Sequence, residues 1–468
     1  MVKTLGAEEA SYAEDLIQRS HDAMEAIAPY GQDAVDRLCR AVGWAVSNET
    51  TFTRLAQMGV DESGIGDREG RPAKRFKVHG VLRDCLRQKS VGIVEDLPEK
   101  GIVKYAKPAG VIVSLVPTTN PAMTPATTAV FAVKAKDAVI FCPHPRALKT
   151  IQETVSVLRQ CMADQGVPED LFQCVDRPSF ALTNELMAKC DLVMATGGAA
   201  MVKAAYSSGT PAFGVGAGNA TIIVDDTADI DQAAHFIKIS KMNDNGSGCS
   251  ADGNALVASA IYDDLLSALQ NEGGYLLTDS EKALLEAAMW NEKGMRSIDT
   301  VACPASQIAA KAGFHLPEGK VFLIVKQQEI GPQHRFSGEK LSPVLAVYKF
   351  SDFPDALEMM QRIFRVGGRG HSCSIYSHND ANIRDLASVA PVSRIMVRQP
   401  TSLSNSGSFT NGMPMTASLG CGFWGNNVTN ENIHLKHYLN YTWVSRPIAE
   451  DRPSEEELFG EFLGSAVY

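Results

Sequence analysis

The chain holds no Cys-x-x-Cys pair, no dense run of lysine and arginine, no internal repeat and no low-complexity linker. Each absence excludes something. The ten cysteines are scattered at positions 39, 85, 142, 161, 174, 190, 249, 303, 373 and 421, a spread that argues against a disulfide framework and against a zinc ribbon. A formal charge of −10 without a basic cluster argues against nucleic acid or a membrane surface as a partner. Even the apolar segment "GVIVSLVPTTNPAMTPATTAVFAV" is cut by three prolines and does not read as a bilayer-spanning helix. The opening "MVKTLGAEEASYAEDL" has no apolar core behind a basic flank, so no secretory signal is read there and a cytoplasmic protein is expected.

What is present is an α/β pattern. With 468 residues, 45% hydrophobic and 21% charged, the chain exceeds one ordinary core, and two domains are expected. "YAEDLIQRSHDAMEAI" and "AVDRLCRAVGWAV" carry apolar residues at spacings of three and four, which predicts amphipathic helices. "GVIVSLVP", "DAVIFCP", "DLVMATGG" and "ATIIVDD" are short apolar runs ended by Pro, Gly or Asp, with helical segments between the first three. Buried parallel strands of an open sheet are predicted there. "NALVAS", "KVFLIVKQ" and "SPVLAVYKF" begin a second series, with "IYDDLLSALQNEG" as a helix, and the domain boundary is expected between Asp225 and Asn245.

Open parallel sheets bind ligands beyond the carboxyl ends of their strands. Of the four ends in the first series, Gly197 and Gly198 are the best dinucleotide candidates, because they follow a strand and precede the helical "AMVKAAYSS". The run from Gly214 to Asn219 looks like a glycine fingerprint, yet a strand follows it and the reading is rejected.

Within "NDNGSGCSADGNAL", Cys249 lies among glycines at 246, 248 and 253 and small polar residues. No large side chain packs around that thiol, which suits an accessible thiolate nucleophile better than a buried cysteine. Asn120, between two prolines at a strand end, offers an amide donor for the oxyanion formed when a thiolate adds to a carbonyl.

"VPTTNP", "PHPRA", "MATGGAAMVKAAYSSGTPAFGVGAGN", "DNGSGCSA", "EKLSP", "GHSCSIYSHND" and "LGCGFWGNN" follow one another in this order. The chain thereby resembles the CoA-acylating aldehyde dehydrogenases over nearly its whole length. The resemblance implies the aldehyde dehydrogenase fold: a Rossmann-like cofactor domain at 1–235 with oligomerisation strands around 92–108, a catalytic thiol domain at 236–425, and a return segment and oligomerisation arm at 426–468. It also implies Cys249 as nucleophile and Asn120 as oxyanion donor. Glu339 falls on the carboxylate that holds the nicotinamide ribose, with Leu341 beside the ring. Thr196, Gly197 and Gly198 fall on the diphosphate turn, and His144, Pro145 and Arg146 near the adenosine. Thr118 and Val215 are assigned to the same crevice. No metal is implied; His371 and Cys373 alone are too few ligands.

Hydrolytic relatives carry a glutamate where this chain has Gly214, so CoA rather than water is the expected acyl acceptor. His371, in "GRGHSC", matches a family histidine and is a candidate base toward CoA. Arg398, with Thr401 and Ser402, suggests recognition of a small anionic aldehyde. The tail "RPIAEDRPSEEELFGEF" is similar to that of the sulfoacetaldehyde enzymes, which implies sulfoacetaldehyde and NADP; succinate semialdehyde is the second choice, and NAD stays open. Arg146 and Lys149 could meet a 2′-phosphate. A homodimer or homotetramer is expected, with Tyr438, Tyr441 and Trp443 available for contact. Two other classes compete: a nucleotide-binding redox sensor built on Cys249, and a hydrolytic dehydrogenase.

Overall fold

A computed structural model describes residues 5–465. Three sheets organise the chain. Strands β1 (Gly92–Leu97) and β2 (Ile102–Pro108) form an antiparallel hairpin. Strands β3 (Val111–Val116), β4 (Ala138–Pro143), β5 (Phe172–Cys174), β6 (Leu192–Thr196) and β7 (Ala212–Val215) make a parallel sheet ordered β5-β4-β3-β6-β7. Chain order reverses between β3 and β6, the switch point where a doubly wound sheet opens a ligand crevice at its carboxyl edge.

All six positions of β3 and of β4 are buried, which is why "VIVSLV" and "AVIFCP" carry no polar alternation. The helix Met123–Ala135 connects them and is buried over nearly its whole surface. Helices Gln32–Ser47, Glu49–Ser63 and Arg75–Leu86 contribute Val42, Phe52 and Val81 to the core on that helix's side. Helix Ala7–Ile27 contributes Ala13 and Leu16 to the core with Val113 and Ile140. Each fully buried valine or isoleucine of these layers contributes about 1.5–3 kcal/mol relative to exposure.

The second sheet joins β8 (Thr221–Val224), β9 (Asn254–Ala258), β10 (Gly274–Leu276), β11 (Phe322–Lys326), β12 (Val344–Phe350), β13 (Cys373–Tyr376) and β14 (Ile395–Val397) in the parallel order β10-β11-β12-β9-β8-β13-β14. Strand β8, the "ATIIVDD" run, pairs with β9 and β13. The chain therefore crosses from one sheet to the other between Val215 and Thr221, ahead of the boundary expected after Asp225. Its apolar run reads alike in either sheet, so composition could not assign it.

Strand β15 (Leu439–Ser445) adds to β2, so 92–108 builds a separate three-stranded arm instead of ending the first sheet. Tyr441 and Trp443 are exposed on that arm, and the Lys104 ammonium lies 4.1 Å from the Trp443 ring centre. Tyr438 is buried, stacked on Phe131 with ring centres 5.1 Å apart, and is not available as a surface contact.

Candidate active site

Helix Ile230–Met242 carries the chain to the amino edge of the second sheet, where the segment to Cys249 winds tightly. Asp244 and Asn245 both have φ of 53°, and Gly246 follows at 69°. A Cβ at Gly246 would stand 2.7 Å from the Ser342 carbonyl, and one at Gly218 only 1.7 Å from the carbonyl of Cys249. Both positions require glycine so that two strands of backbone can close on the thiol loop.

Cys249 is half-buried, and its Sγ lies 3.0 Å from Nε2 of His371. His371 stands just before β13, fully buried, with Nδ1 2.9 Å from the Ser372 hydroxyl. Asn405 Nδ2 donates to that hydroxyl oxygen at 3.1 Å, and Arg394 donates to the His371 carbonyl at 3.1 Å. Burial, with Glu339 and Cys421 adding to it, pushes the Cys249 thiol up to about 12. Burial and the nearby Arg394 hold His371 down to about 3. At neutral pH the resting pair is therefore thiol and neutral imidazole, a bound proton with its acceptor already in place.

Asn120 lies in the turn after β3, and its backbone carbonyl accepts from Thr124 at the start of the next helix at 3.1 Å. Its Oδ1 accepts from Lys74 Nζ at 2.7 Å, and the same ammonium donates to Asp244 Oδ2 at 2.7 Å. Arg71 grips Asp244 with two bonds of 3.0 and 2.9 Å, and the Ser247 hydroxyl adds a third at 2.6 Å. Burial works against the Asp244 carboxylate, but Lys74 and Arg71 overcome it and hold the group at about 2. Nothing in "GDREGRPAKRF" announced these two cations as site residues, although Arg71 and Lys74 share one face of a turn.

Glu339 receives the Gly218 N–H at 3.2 Å, and burial raises its carboxyl to about 7. Lys340 beside it is buried rather than surface-bound, and it donates to Asn254 Oδ1 at 3.2 Å and to the Gly338 carbonyl at 3.0 Å. Leu341 has φ of 42°, a conformation that costs a branched side chain on the order of 1 kcal/mol and that clusters at functional sites.

In the first sheet Thr196 lies opposite Val215 in register, and Thr118 and Asn120 follow β3 at the same edge. Gly198 caps helix Ala199–Tyr206 with no side-chain acceptor. His144, Pro145 and Arg146 are exposed at the end of β4. The cofactor candidates of the first sheet thus share its carboxyl edge.

Arg398 stands apart from the thiol, whereas Thr401 and Ser402 pack beside the thiol loop. Arg398 sits past the carboxyl end of β14, its guanidinium on the Ser377 carbonyl. His371 precedes β13 at the other edge, and Arg398 follows β14 at the level of Tyr376, five positions further on, a rise of roughly 17 Å. Thr401 and Ser402 are buried behind the thiol loop, with the Ser402 N–H on the Ser240 hydroxyl at 3.0 Å. The spacing of a serine-rich run could not reveal which edge of the sheet it returns to. Among the described residues, Glu431, His434 and His437 bring three ligand atoms within 4.8 Å, but the Lys436 ammonium is already on Glu431 at 2.5 Å.

The chain thus sets one parallel sheet with a switch point at its carboxyl edge beside a second that presents a thiol against an imidazole. The aldehyde dehydrogenase family model matches residues 73–301. A sulfoacetaldehyde dehydrogenase of an Acholeplasma species is 43% identical over 96% of this chain and 93% of its own. The acylating sulfoacetaldehyde dehydrogenase of Bilophila wadsworthia is 41% identical over 95% and 97%, and the acetylating succinate-semialdehyde dehydrogenase of Clostridium kluyveri 35% over 95% and 98%. An acetylating aldehyde dehydrogenase structure from Geobacillus thermoglucosidasius superposes with a TM-score of 0.91 at 31% identity, covering 96% and 99% of the two chains. The chain belongs to the aldehyde dehydrogenase family, among its acylating members, and is an oxidoreductase of that class.

Proposed function

We propose that this enzyme converts sulfoacetaldehyde, CoA and a nicotinamide dinucleotide to sulfoacetyl-CoA and the reduced dinucleotide, reversibly, through a thioester on Cys249. The observation that carries the mechanism is the 3.0 Å contact between Cys249 Sγ and His371 Nε2. As sulfur bonds to the aldehyde carbon, the thiol proton passes to His371 and the carbonyl electrons move onto oxygen, where Asn120 Nδ2 donates. For this role His371 needs Nε2 bare, so Nδ1–H donates to the Ser372 hydroxyl. Bound dinucleotide supplies the hydride acceptor. The chain's residues hold sulfur and oxygen still while the carbonyl reforms as a thioester.

In the second half, once His371 has released the first proton to solvent, the CoA thiol gives its proton to His371 and its sulfur bonds to the acyl carbon. The bond to Cys249 breaks, and the departing thiolate takes that proton back. Water is disfavoured as acceptor because position 214 has no room for an activating carboxylate. A Cβ there would meet Val202 Cγ1 at 2.5 Å and Tyr206 Cε2 at 2.9 Å.

The residues fit a dinucleotide. The first amides of helix Ala199–Tyr206 are left open by Gly198, as a diphosphate requires. At the end of β4, where an acidic residue would grip a 2′-hydroxyl, the chain offers Arg146 and Lys149 instead. The nearby Glu62 is spent on the amides of Lys149 and Thr150, each at 2.8 Å. This favours NADP over NAD.

The relatives named for sulfoacetaldehyde, at 43% and 41%, exceed the one named for succinate semialdehyde, at 35%. No helix among the described residues is long and apolar enough to cross a membrane, and we place the enzyme in the cytoplasm. The exposed arm residues Tyr441 and Trp443 support a homodimer or homotetramer.

The test is absorbance of the reduced dinucleotide, with sulfoacetaldehyde or succinate semialdehyde, NADP or NAD, each with and without CoA. CoA-dependent reduction with sulfoacetaldehyde and NADP is expected. Faster turnover of succinate semialdehyde reassigns the substrate, and dinucleotide binding without turnover favours the sensor.

A further inference from the structure

Asn120 must present nitrogen, not oxygen, to a developing oxyanion, and a free amide side chain is indifferent to a half-turn about its last bond. In this enzyme one group breaks that indifference. We propose that Lys74 is a positioning residue: its ammonium, tied to Asp244 on the thiol loop, fixes the Asn120 amide with Oδ1 inward and Nδ2 toward the reacting oxygen. The inference rests on Asn120 being the oxyanion donor of the reading above.

The geometry carries it. Lys74 Nζ reaches Asn120 Oδ1 and Asp244 Oδ2 at 2.7 Å each. An ammonium has donors only, so the amide atom facing it is the oxygen. The side chain of Lys74 is 17% exposed and that of Asp244 2%, so this bridge is shielded from the water that weakens surface pairs. Asp244 is itself immobilised by both Arg71 nitrogens, by Ser247 and by the Asp67 N–H at 2.7 Å. It lies five positions before Cys249 in the same winding segment. One carboxylate thus sets both the loop that carries the nucleophile and, through Lys74, the amide that receives the charge. Burial outweighs the pull of Asp244 and lowers the Lys74 amine from its ordinary value, and charged or neutral it has a hydrogen for each of the two oxygens.

The burst of p-nitrophenol released as p-nitrophenyl acetate acylates Cys249 tests this without reference to the natural aldehyde, because attack on the ester makes the same kind of oxyanion and needs neither dinucleotide nor release of the acyl group to water. Lys74→Met is expected to lower the acylation rate by roughly 10- to 100-fold, below the 10²–10³ typical of deleting an oxyanion donor, with KM changed less than about threefold. Lys74→Gln, which can still donate to Oδ1, is expected to recover most of the loss. In an Asn120→Ala background Lys74→Met is expected to do nothing further, since a residue acting through another is silent once that other is gone. Iodoacetamide labelling of Cys249 checks that each variant retains its folded site. Additive losses in the double variant, or equal losses for Met and Gln, overturn the proposal. A wild type without a p-nitrophenol burst, or a Cys249→Ala variant that keeps one, overturns the underlying site reading instead.

Discussion

Cys249 Sγ and His371 Nε2 are in hydrogen-bonding contact at 3.0 Å, yet each is held in its neutral form. The thiol stands near 12 and the imidazole near 3, so the ion pair is not the resting state. Such a site guards its nucleophile against oxidation and alkylation until a carbonyl is in place to take the charge.

That arrangement sets a pH profile. A raised thiol pKa means that the thiolate fraction grows about tenfold per pH unit all the way to the folded value, and a depressed imidazole does not titrate between about pH 5 and 9. The rate of Cys249 alkylation by iodoacetamide in the free enzyme is therefore expected to climb through pH 9 without levelling. A plateau beginning near pH 7 means an imidazolium–thiolate pair and contradicts the neutral one. Ser372→Ala, which removes the partner of Nδ1, is expected to slow acyl transfer to CoA about tenfold while dinucleotide KM stays put.

Gly214→Glu is the substitution that would import a water-activating carboxylate. Because Val202 and Tyr206 occupy the space, with the Tyr206 hydroxyl receiving the Gly214 N–H at 3.0 Å, the expected result is lost stability and no gain of CoA-independent acid. Overpacking of this kind costs about 1–3 kcal/mol. Release of acid without CoA by the variant, followed by ion chromatography, is the result that contradicts this.

Arg398→Gln separates the sequence reading from the geometry. If the guanidinium serves the carboxyl edge of β14 through Ser377, KM for an anionic aldehyde changes by less than about twofold, within what a distant site allows. A rise of tenfold or more returns Arg398 to the acyl pocket.

The parts of the fold that were legible in the sequence were those where periodicity is dictated by burial. "VIVSLV" and "AVIFCP" have no exposed face, and "AVDRLCRAVGWAV" has one apolar stripe. Cys249 stood out in the sequence because its immediate neighbours are small, yet the fold half-buries it and that burial raises its thiol. The partners were not, because they meet only in three dimensions. Lys74 reaches Asn120 across 46 positions and Asp244 across 170, and neither spacing has a period. The burial of Lys340 was not legible either, since charge in the sequence says nothing of which backbone carbonyls surround it.

Lys340 gives the clearest stability test. Its side chain is fully buried, and the amine donates to Asn254 Oδ1 and to the carbonyls of Phe336 and Gly338, at 3.2, 2.5 and 3.0 Å. Methionine fills a similar volume but satisfies none of these acceptors. Stranding buried acceptors costs about 1–3 kcal/mol each before relaxation, so Lys340→Met is expected to lose about 3 kcal/mol and roughly 3 °C in Tm. The loop it braces carries Glu339, whose carboxylate receives the Gly218 N–H. Slackening that loop is expected to raise KM for the dinucleotide roughly tenfold, equivalent to about 1.4 kcal/mol, while the alkylation rate of Cys249 changes little. Calorimetry and a dinucleotide titration read the two effects separately. A variant with wild-type Tm shows that water or a side-chain shift replaces the amine, and one with wild-type KM shows that Glu339 is held by Gly218 alone.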